Sequence, residues 1–187
     1  MIILYRIVLK IHTLWQSLYD KAYIEVCKQR GMKVGKDVIF IEAPAFGSEP
    51  YLIEIGNNTK ITAGARFINH DGAMYTIRSM ENYKDARNFG RIKIGENCFV
   101  GNNCTFLPGS QMGNNCILGA GSVLNSTMPN NSVYAGTPAK FICTIEEYGD
   151  KALQNNVIYP RELEAHRAQL DEYIKQNLPH TYKPVKK

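Results

Sequence analysis

The sequence contains no run of about 18 uncharged apolar residues, which excludes a membrane-spanning helix. It has no CxxC pair, and its five cysteines, Cys27, Cys98, Cys104, Cys116 and Cys143, are odd in number. That argues against a disulfide framework and against a zinc site, and a reducing cytoplasm is the simpler setting. There is no Lys/Arg arm of the kind that grips nucleic acid, apart from the short tail Lys183 to Lys187. The opening MIILYRIVLKIHTLW is apolar, but Arg6 and Lys10 interrupt it and no small-residue cleavage site follows. It therefore does not read as a signal peptide. Histidine is scarce, and His70 is the only one between residues 13 and 165. What is present is an ordinary globular balance: 187 residues, 44% hydrophobic and 21% charged, with a net charge of +5. The pI near 8.9 suits a polyanionic ligand such as a nucleotide-bearing cofactor as well as it suits nucleic acid.

The organising feature is an internal repeat. Ile94, Val100, Phe106, Met112, Leu118 and Leu124 fall six apart, with Gly95, Gly101, Gly113 and Gly119 directly after four of them. Two positions before the bulky residues stand small ones: Cys98, Cys104, Ser110, Cys116 and Ser122, with Ile92 the exception. Side chains alternate along a strand, so both residues of each pair point the same way, into a narrow bore. Polar pairs such as Asn102-Asn103 and Asn114-Asn115 supply corners that need left-handed backbone. Each six-residue unit is thus one short strand and one corner, and three units make a flat-sided coil. Earlier triplets, Val34/Phe40/Phe46 and Ile55/Ile61/Phe67, bring the count to four coils. The step from Phe46 to Ile55 is 9, three more than one repeat, and that from Phe67 to Ile94 is 27, an excess of 21. Both interruptions follow a third face and should leave from one edge of the prism. An insertion of that length without a repeat of its own marks a functional loop.

Flanking segments read as helical. Leu4, Val8, Ile11, Trp15, Leu18, Ala22 and Val26 keep 3- and 4-residue spacing, and Gly31 closes the element. Such a helix caps the open end of the coils or packs on a neighbouring subunit; its basic residues also allow peripheral membrane contact. A second helix is expected from Pro160 to about Gln176, with Leu163, His166, Leu170, Tyr173 and Ile174 as its stripe, followed by a mobile tail from Pro179. The expected divisions are 1–31, 32–143 with a long loop 73–91, and 144–187.

The repeat, the single long loop and the ending Val133-Tyr134-Ala135-Gly136-Thr137-Pro138-Ala139-Lys140 together resemble the hexapeptide-repeat acyltransferases, most of all the bacterial sugar and polysaccharide O-acetyltransferases. The resemblance covers roughly residues 32–143. It implies an all-β solenoid, a left-handed parallel β-helix with an N-terminal and a C-terminal α-helix, the handedness coming from the family alone. It implies an acetyl-CoA-dependent enzyme without a metal, a carbohydrate acceptor, and a homotrimer whose sites lie between chains.

Acyl transfer from a thioester needs a base, a donor for the oxyanion and a groove for the long cofactor. His70, at the root of the excursion, is the expected base: imidazole titrates near neutrality, and the family places a histidine beside a protruding loop. Asn69 and Asp71 flank it as substrate-binding candidates with alternative roles, Asp71 to orient the ring or Asn69 to hold the acceptor hydroxyl, since sequence neighbours at a corner point different ways. By resemblance the backbone N–H of Asn102 is the oxyanion donor and Phe99 a wall beside the thioester, where relatives often carry Trp. Gly119-Ala120-Gly121 leaves room for the pantetheine arm, and Thr137, Pro138 and Lys140 meet the nucleotide end. Ser126 and Cys143 stand where members often carry basic residues, which weakens the expected phosphate contact. The excursion's Met74, Tyr75, Ile77, Tyr83 and Phe89 invite burial against another subunit. The alternatives are N-acetyl transfer to an amino sugar or amino acid, which needs the same base and cofactor, and a non-catalytic scaffold. A hydratase of this fold would need three histidines around zinc, and His12, His166 and His180 lie outside the repeat.

Overall fold

A computed structural model describes residues 2–155 and 158–178 of the chain; the expected tail from Pro179 lies outside the described residues. Contacts divide the chain into two compact units, Met1–Ile145 and Glu146–Lys187.

The first unit begins with α1 (Ile2–Gln29). Gly31 ends it in left-handed backbone at φ 101°, and its N–H and that of Met32 cap the carbonyls of Lys28 and Cys27 at 2.9 and 3.1 Å, the two-bond closure that glycine permits. The side that packs is not the expected stripe. Tyr23, Ile24 and Cys27 meet the core, whereas Leu4, Val8, Ile11, Trp15, Leu18 and Val26 are all exposed.

A three-sided parallel β-helix follows. Its first coil holds β1 (Lys33–Val34), β2 (Ile39–Phe40) and a single bridge at Ala45. The second holds β3 (Ile53–Ile55), β4 (Lys60–Ile61) and β5 (Arg66–Phe67). The third is β6 (Ile92–Ile94), β7 (Phe99–Val100) and β8 (Thr105–Phe106), and the fourth β9 (Gln111–Met112), β10 (Ile117–Leu118) and β11 (Val123–Leu124). A fifth coil starts with β12 (Thr127–Met128) and β13 (Ser132–Ala135), and β14 (Lys140–Thr144) folds back antiparallel on β13. The faces run β1-β3-β6-β9-β12, β2-β4-β7-β10-β13-β14 and β5-β8-β11, and their register stacks the sixfold residues: Ile61 on Val100 on Leu118, Phe67 on Phe106 on Leu124. From the second coil upward these side chains are buried, as are Cys98, Cys104, Ser110, Cys116 and Ser122. The Cys98 thiol is pushed up by its hydrogen bond with Cys116 and then by burial; it is a neutral packing group, not a nucleophile.

Corners are held by asparagine ladders. Asn58, Asn97, Asn115 and Asn131 all sit at φ between 51 and 58°, and each amide donates to the next side-chain oxygen at 2.9 Å. The left-handed conformation costs Asn least among residues with a side chain, and each rung satisfies the one above it.

In the second unit α3 (Ile145–Asn155) was not anticipated. Glu146 and Glu147 in its first turn suit the positive helix end, but Gly149 obscures the pattern. The helix expected from Pro160 to Gln176 is divided: a 3-10 turn (Arg161–Ala165) is followed by α4 (Arg167–Asn177). His166, at φ −125° and ψ 71°, leaves helical geometry and accepts from Gln169 and Leu170 at its carbonyl, so it starts the second element instead of lining the first. Leu170 is the buried member of the expected stripe.

Candidate active site

The third corner of the prism is where both insertions emerge. Asn69, His70 and Asp71 continue from β5, and the returning chain meets them at once: Asp71 N–H donates to the Asn88 carbonyl and Gly90 N–H to the Asn69 carbonyl, each at 2.9 Å. His70 pairs with Phe89 across this pinch, ring centroids 6.0 Å apart. The excursion carries α2 (Met74–Ile77) and a 3-10 turn (Glu81–Tyr83). It leaves and returns beside the imidazole, so a mobile-looking loop has a fixed root.

The shorter insertion, Gly47-Ser48-Glu49, supplies the partner that sequence reasoning missed. Glu49 Oε2 lies 2.7 Å from His70 Nδ1. The carboxylate side chain is 15% exposed and the imidazole 43%. A carboxylate only accepts, so Nδ1 is the donor in this bond, and in the neutral imidazole that tautomer leaves the lone pair on Nε2. Asn69 sets this up. It is 1% exposed, and its amide donates to the carbonyls of Phe46 and Glu49 at 3.1 and 2.8 Å, clamping the insertion beneath the histidine. Gly47, at φ 69°, has no room for a side chain: a Cβ would lie 2.9 Å from Asn69 Oδ1.

Two expectations change accordingly. Asn69 is turned into the protein and holds the loop; it does not offer its amide to an acceptor. Asp71 does not orient the ring, because its Oδ1 accepts the Ala73 N–H at 2.8 Å, a local turn that starts the excursion. Asp71 does line both hollows beside His70. One, of about 530 Å³, runs between Ile68, Phe89, Leu107, Pro108 and Asn125. The other, of about 310 Å³, lies between Glu49, Met74, Arg78 and Arg87 and is the more basic.

The cofactor candidates gather elsewhere, along the second corner. Gly121 N–H donates to the Asn102 carbonyl at 2.7 Å, and Val123 N–H to the Gly136 carbonyl at 3.0 Å. Thr137 Oγ1 donates to the Gly121 carbonyl at 3.4 Å. Asn102, Ala120-Gly121 and Thr137 are thus successive rungs of one column. A Cβ on Gly121 would meet nothing within 4 Å, and one on Gly101 would strike the Ala120 backbone nitrogen at 2.5 Å; the column is open outward and tight between coils. Asn102 and Lys140 are exposed, Phe99 stands outward on the neighbouring face at 40% exposure, and Pro138 follows Thr137 over the top of the column. These features fit a long, phosphate-bearing thiol ester lying on backbone. Ser126 is exposed and Cys143 buried, so neither adds a cation. Among the described residues no group of three His, Cys, Asp or Glu is placed to hold a metal.

Known proteins are similar to this chain. The family description "bacterial transferase hexapeptide (six repeats)" matches residues 91–126. Protein CapG of Staphylococcus aureus is 45% identical over 130 residues, which are 68% of this chain and 74% of that protein. The galactoside O-acetyltransferase of Escherichia coli K12 is 38% identical over 56 residues, 30% of this chain and 28% of the relative. Among solved structures, a hexapeptide-repeat acetyltransferase of Vibrio cholerae superposes with a TM-score of 0.52 at 16% identity, over 67% of this chain and 81% of that one. The parallel coils described above are therefore those of a left-handed β-helix.

Proposed function

Because the chain belongs to the bacterial transferase hexapeptide family, we propose that it transfers an acetyl group from acetyl-CoA to a hydroxyl of a sugar or polysaccharide precursor, with His70 as general base. The observation that carries this reading is the Glu49–His70 pair: Nδ1 held at 2.7 Å, Nε2 free, and hollows on either side for a substrate. Acetyl-CoA, as co-substrate, supplies a carbonyl already activated as a thioester. His70 Nε2 takes the proton of the acceptor hydroxyl as its oxygen attacks the thioester carbonyl, while Glu49 stabilises the imidazolium that forms; collapse of the tetrahedral intermediate breaks the C–S bond, and the departing CoA thiolate takes that proton from the imidazolium to leave as free thiol. The backbone N–H of Asn102 donates to the developing oxyanion, and Phe99 walls the reacting group from solvent. Gly119, Ala120, Thr137, Pro138 and Lys140 hold the rest of the co-substrate along the second corner. Arg78 and Arg87 favour an acceptor that carries phosphate or carboxylate.

His70 and the Asn102 column occupy different edges of the same prism. One protomer does not set the base beside the cofactor groove, and a homotrimer does so by laying the third corner of one copy against the second corner of the next. Tyr75, Met80, Tyr83 and Phe89 on the excursion, all exposed in the single chain and Tyr75 at 81%, suit burial in that seam.

The test is a panel of neutral and anionic sugars and nucleotide sugars with acetyl-CoA, read as free CoA thiol. Acceptor-dependent thiol release with an alkali-labile product is expected. An alkali-stable product moves the assignment to N-acetyl transfer; no CoA binding by calorimetry and no release with any acceptor makes the protein a scaffold. Glu49→Gln is expected to lower kcat by roughly 10²-fold or more, toward the ~10⁴ seen where a buried carboxylate fixes a catalytic histidine's tautomer. The KM for acetyl-CoA should stay put, since that groove is on the other corner. A matched rise in that KM with kcat unchanged would contradict the positioning role.

A further inference from the structure

The N-terminal helix packs on its own β-helix through Tyr23, Ile24 and Cys27, continues that side with polar residues, and turns its long apolar stripe away. Thr13, Gln16, Ser17 and Asp20, with His12, Lys21 and Ile24 beside them, face Phe40–Ala43 across a groove of about 480 Å³. On the opposite side Leu4, Val8, Ile11, Trp15 and Leu18 are between 54% and 69% exposed. At about 100° per residue these five, with Ile7 and Leu14, cover an arc of about 120°. Arg6 and Lys10 lie along one border of that arc, within about 40° of each other; Lys21 and Lys28 continue the line, Lys21 also lining the groove on the β-helix side. Residues 2–19 contain no carboxylate. Glu25, the one acid within the arc, lies beyond the stripe's exposed aromatic end and pairs with Lys28 at 3.6 Å.

We propose that this helix lays the protein on an anionic lipid surface, the stripe entering the headgroup–acyl boundary and the line of cations meeting lipid phosphates. Two kinds of attraction coincide on one side of one helix, which is what reversible binding to such a surface requires. Trp15, within the stripe, supplies an amphipathic ring of the kind that settles at that depth. A second copy is the poorer occupant: packing stripe on stripe would bring the same cations together with no acid in residues 2–19 to answer them. No described helix is long and apolar enough to cross a membrane, so the helix lies on the surface and does not span it.

Trp15 is the only tryptophan in the chain, so its emission reports on this helix alone. The full chain is mixed with vesicles of phosphatidylcholine, or of phosphatidylcholine with phosphatidylglycerol, and followed by Trp emission, acrylamide quenching and co-sedimentation. With the mixed vesicles a blue shift, reduced quenching and sedimentation are expected; Arg6→Glu with Lys10→Glu should weaken binding by about tenfold or more, and Leu4→Glu with Ile11→Glu should abolish it while circular dichroism and oligomer mass stay unchanged. Equal binding to phosphatidylcholine alone overturns the role of the cations. Trp15 already blue-shifted and shielded without lipid, with a lower oligomer mass for Leu4→Glu/Ile11→Glu, overturns the lipid and assigns the stripe to a second copy. No response of folded protein to either vesicle overturns the proposal outright. Acetyl transfer does not enter these readouts, so they stand apart from the reading of the active site.

Discussion

His70→Ala should retain the fold and lose about 10² to 10⁴ in kcat, the usual contribution of a positioned general base and equal to about 3–5 kcal/mol of barrier. The fold should survive because the imidazole is 43% exposed and contributes to no stacked position of the bore. The pinch at its root is made by backbone groups of Asn69, Asp71, Asn88 and Gly90, which alanine keeps. The loss should fall on kcat, with the KM for acetyl-CoA little changed, because the cofactor candidates lie on the second corner. Removing the imidazole also leaves Glu49, 15% exposed, without its partner; that carboxylate can turn toward water, so the melting temperature should move by only a few degrees. Steady-state kinetics beside a thermal scan decide the matter. A variant that turns over at the parent rate would remove His70 from the chemistry, and one that fails to fold would make it a structural residue of the corner.

Four coils and the site's corner were legible because the constraint is local and repeated: every sixth residue must fill a bore too narrow for anything else, and Asn or Gly must make the turns between. Legibility fails where the count changes. Leu124 to Met128 is a step of four, so the fifth coil, with Met128 fully buried in register on Met112, is invisible to a sixfold search. Glu49 was missed for a related reason. It stands 21 residues before His70, and adjacency favoured Asp71. The usable signal was that a 3-residue and a 21-residue insertion leave from one edge, so residues of the first must stand below those of the second. Periodicity in α1 correctly gave a helix, yet it could not say which side faces the protein. That depends on where the chain enters the first coil, and Tyr23, Ile24 and Cys27 are what the entry presents to Phe46 and its neighbours.

Phe106→Ala should cost about 3–5 kcal/mol, the range for emptying a large buried aromatic. Phe106 is fully buried, and Phe67 stacks on it with centroids 4.8 Å apart and planes 12° from parallel. Phe46 continues the column at 5.4 Å from Phe67. The stacking adds about 0.5–1.5 kcal/mol to plain burial. A solenoid has no distant core to compensate, since each coil rests only on its neighbours, so the cavity would sit directly above β5, the strand whose end carries His70. Against a total stability of about 5–15 kcal/mol the variant should show a much lower denaturant midpoint, and activity should fall at temperatures where the parent is still folded. Phe99→Ala is the internal control. Phe99 points outward from the neighbouring strand, and its removal should change stability by no more than about 0.5 kcal/mol while raising the KM for acetyl-CoA. Equal destabilisation by the two would mean that the sixfold rhythm does not decide which side chains fill the bore, and the placement of His70 at the prism's edge would lose its physical basis.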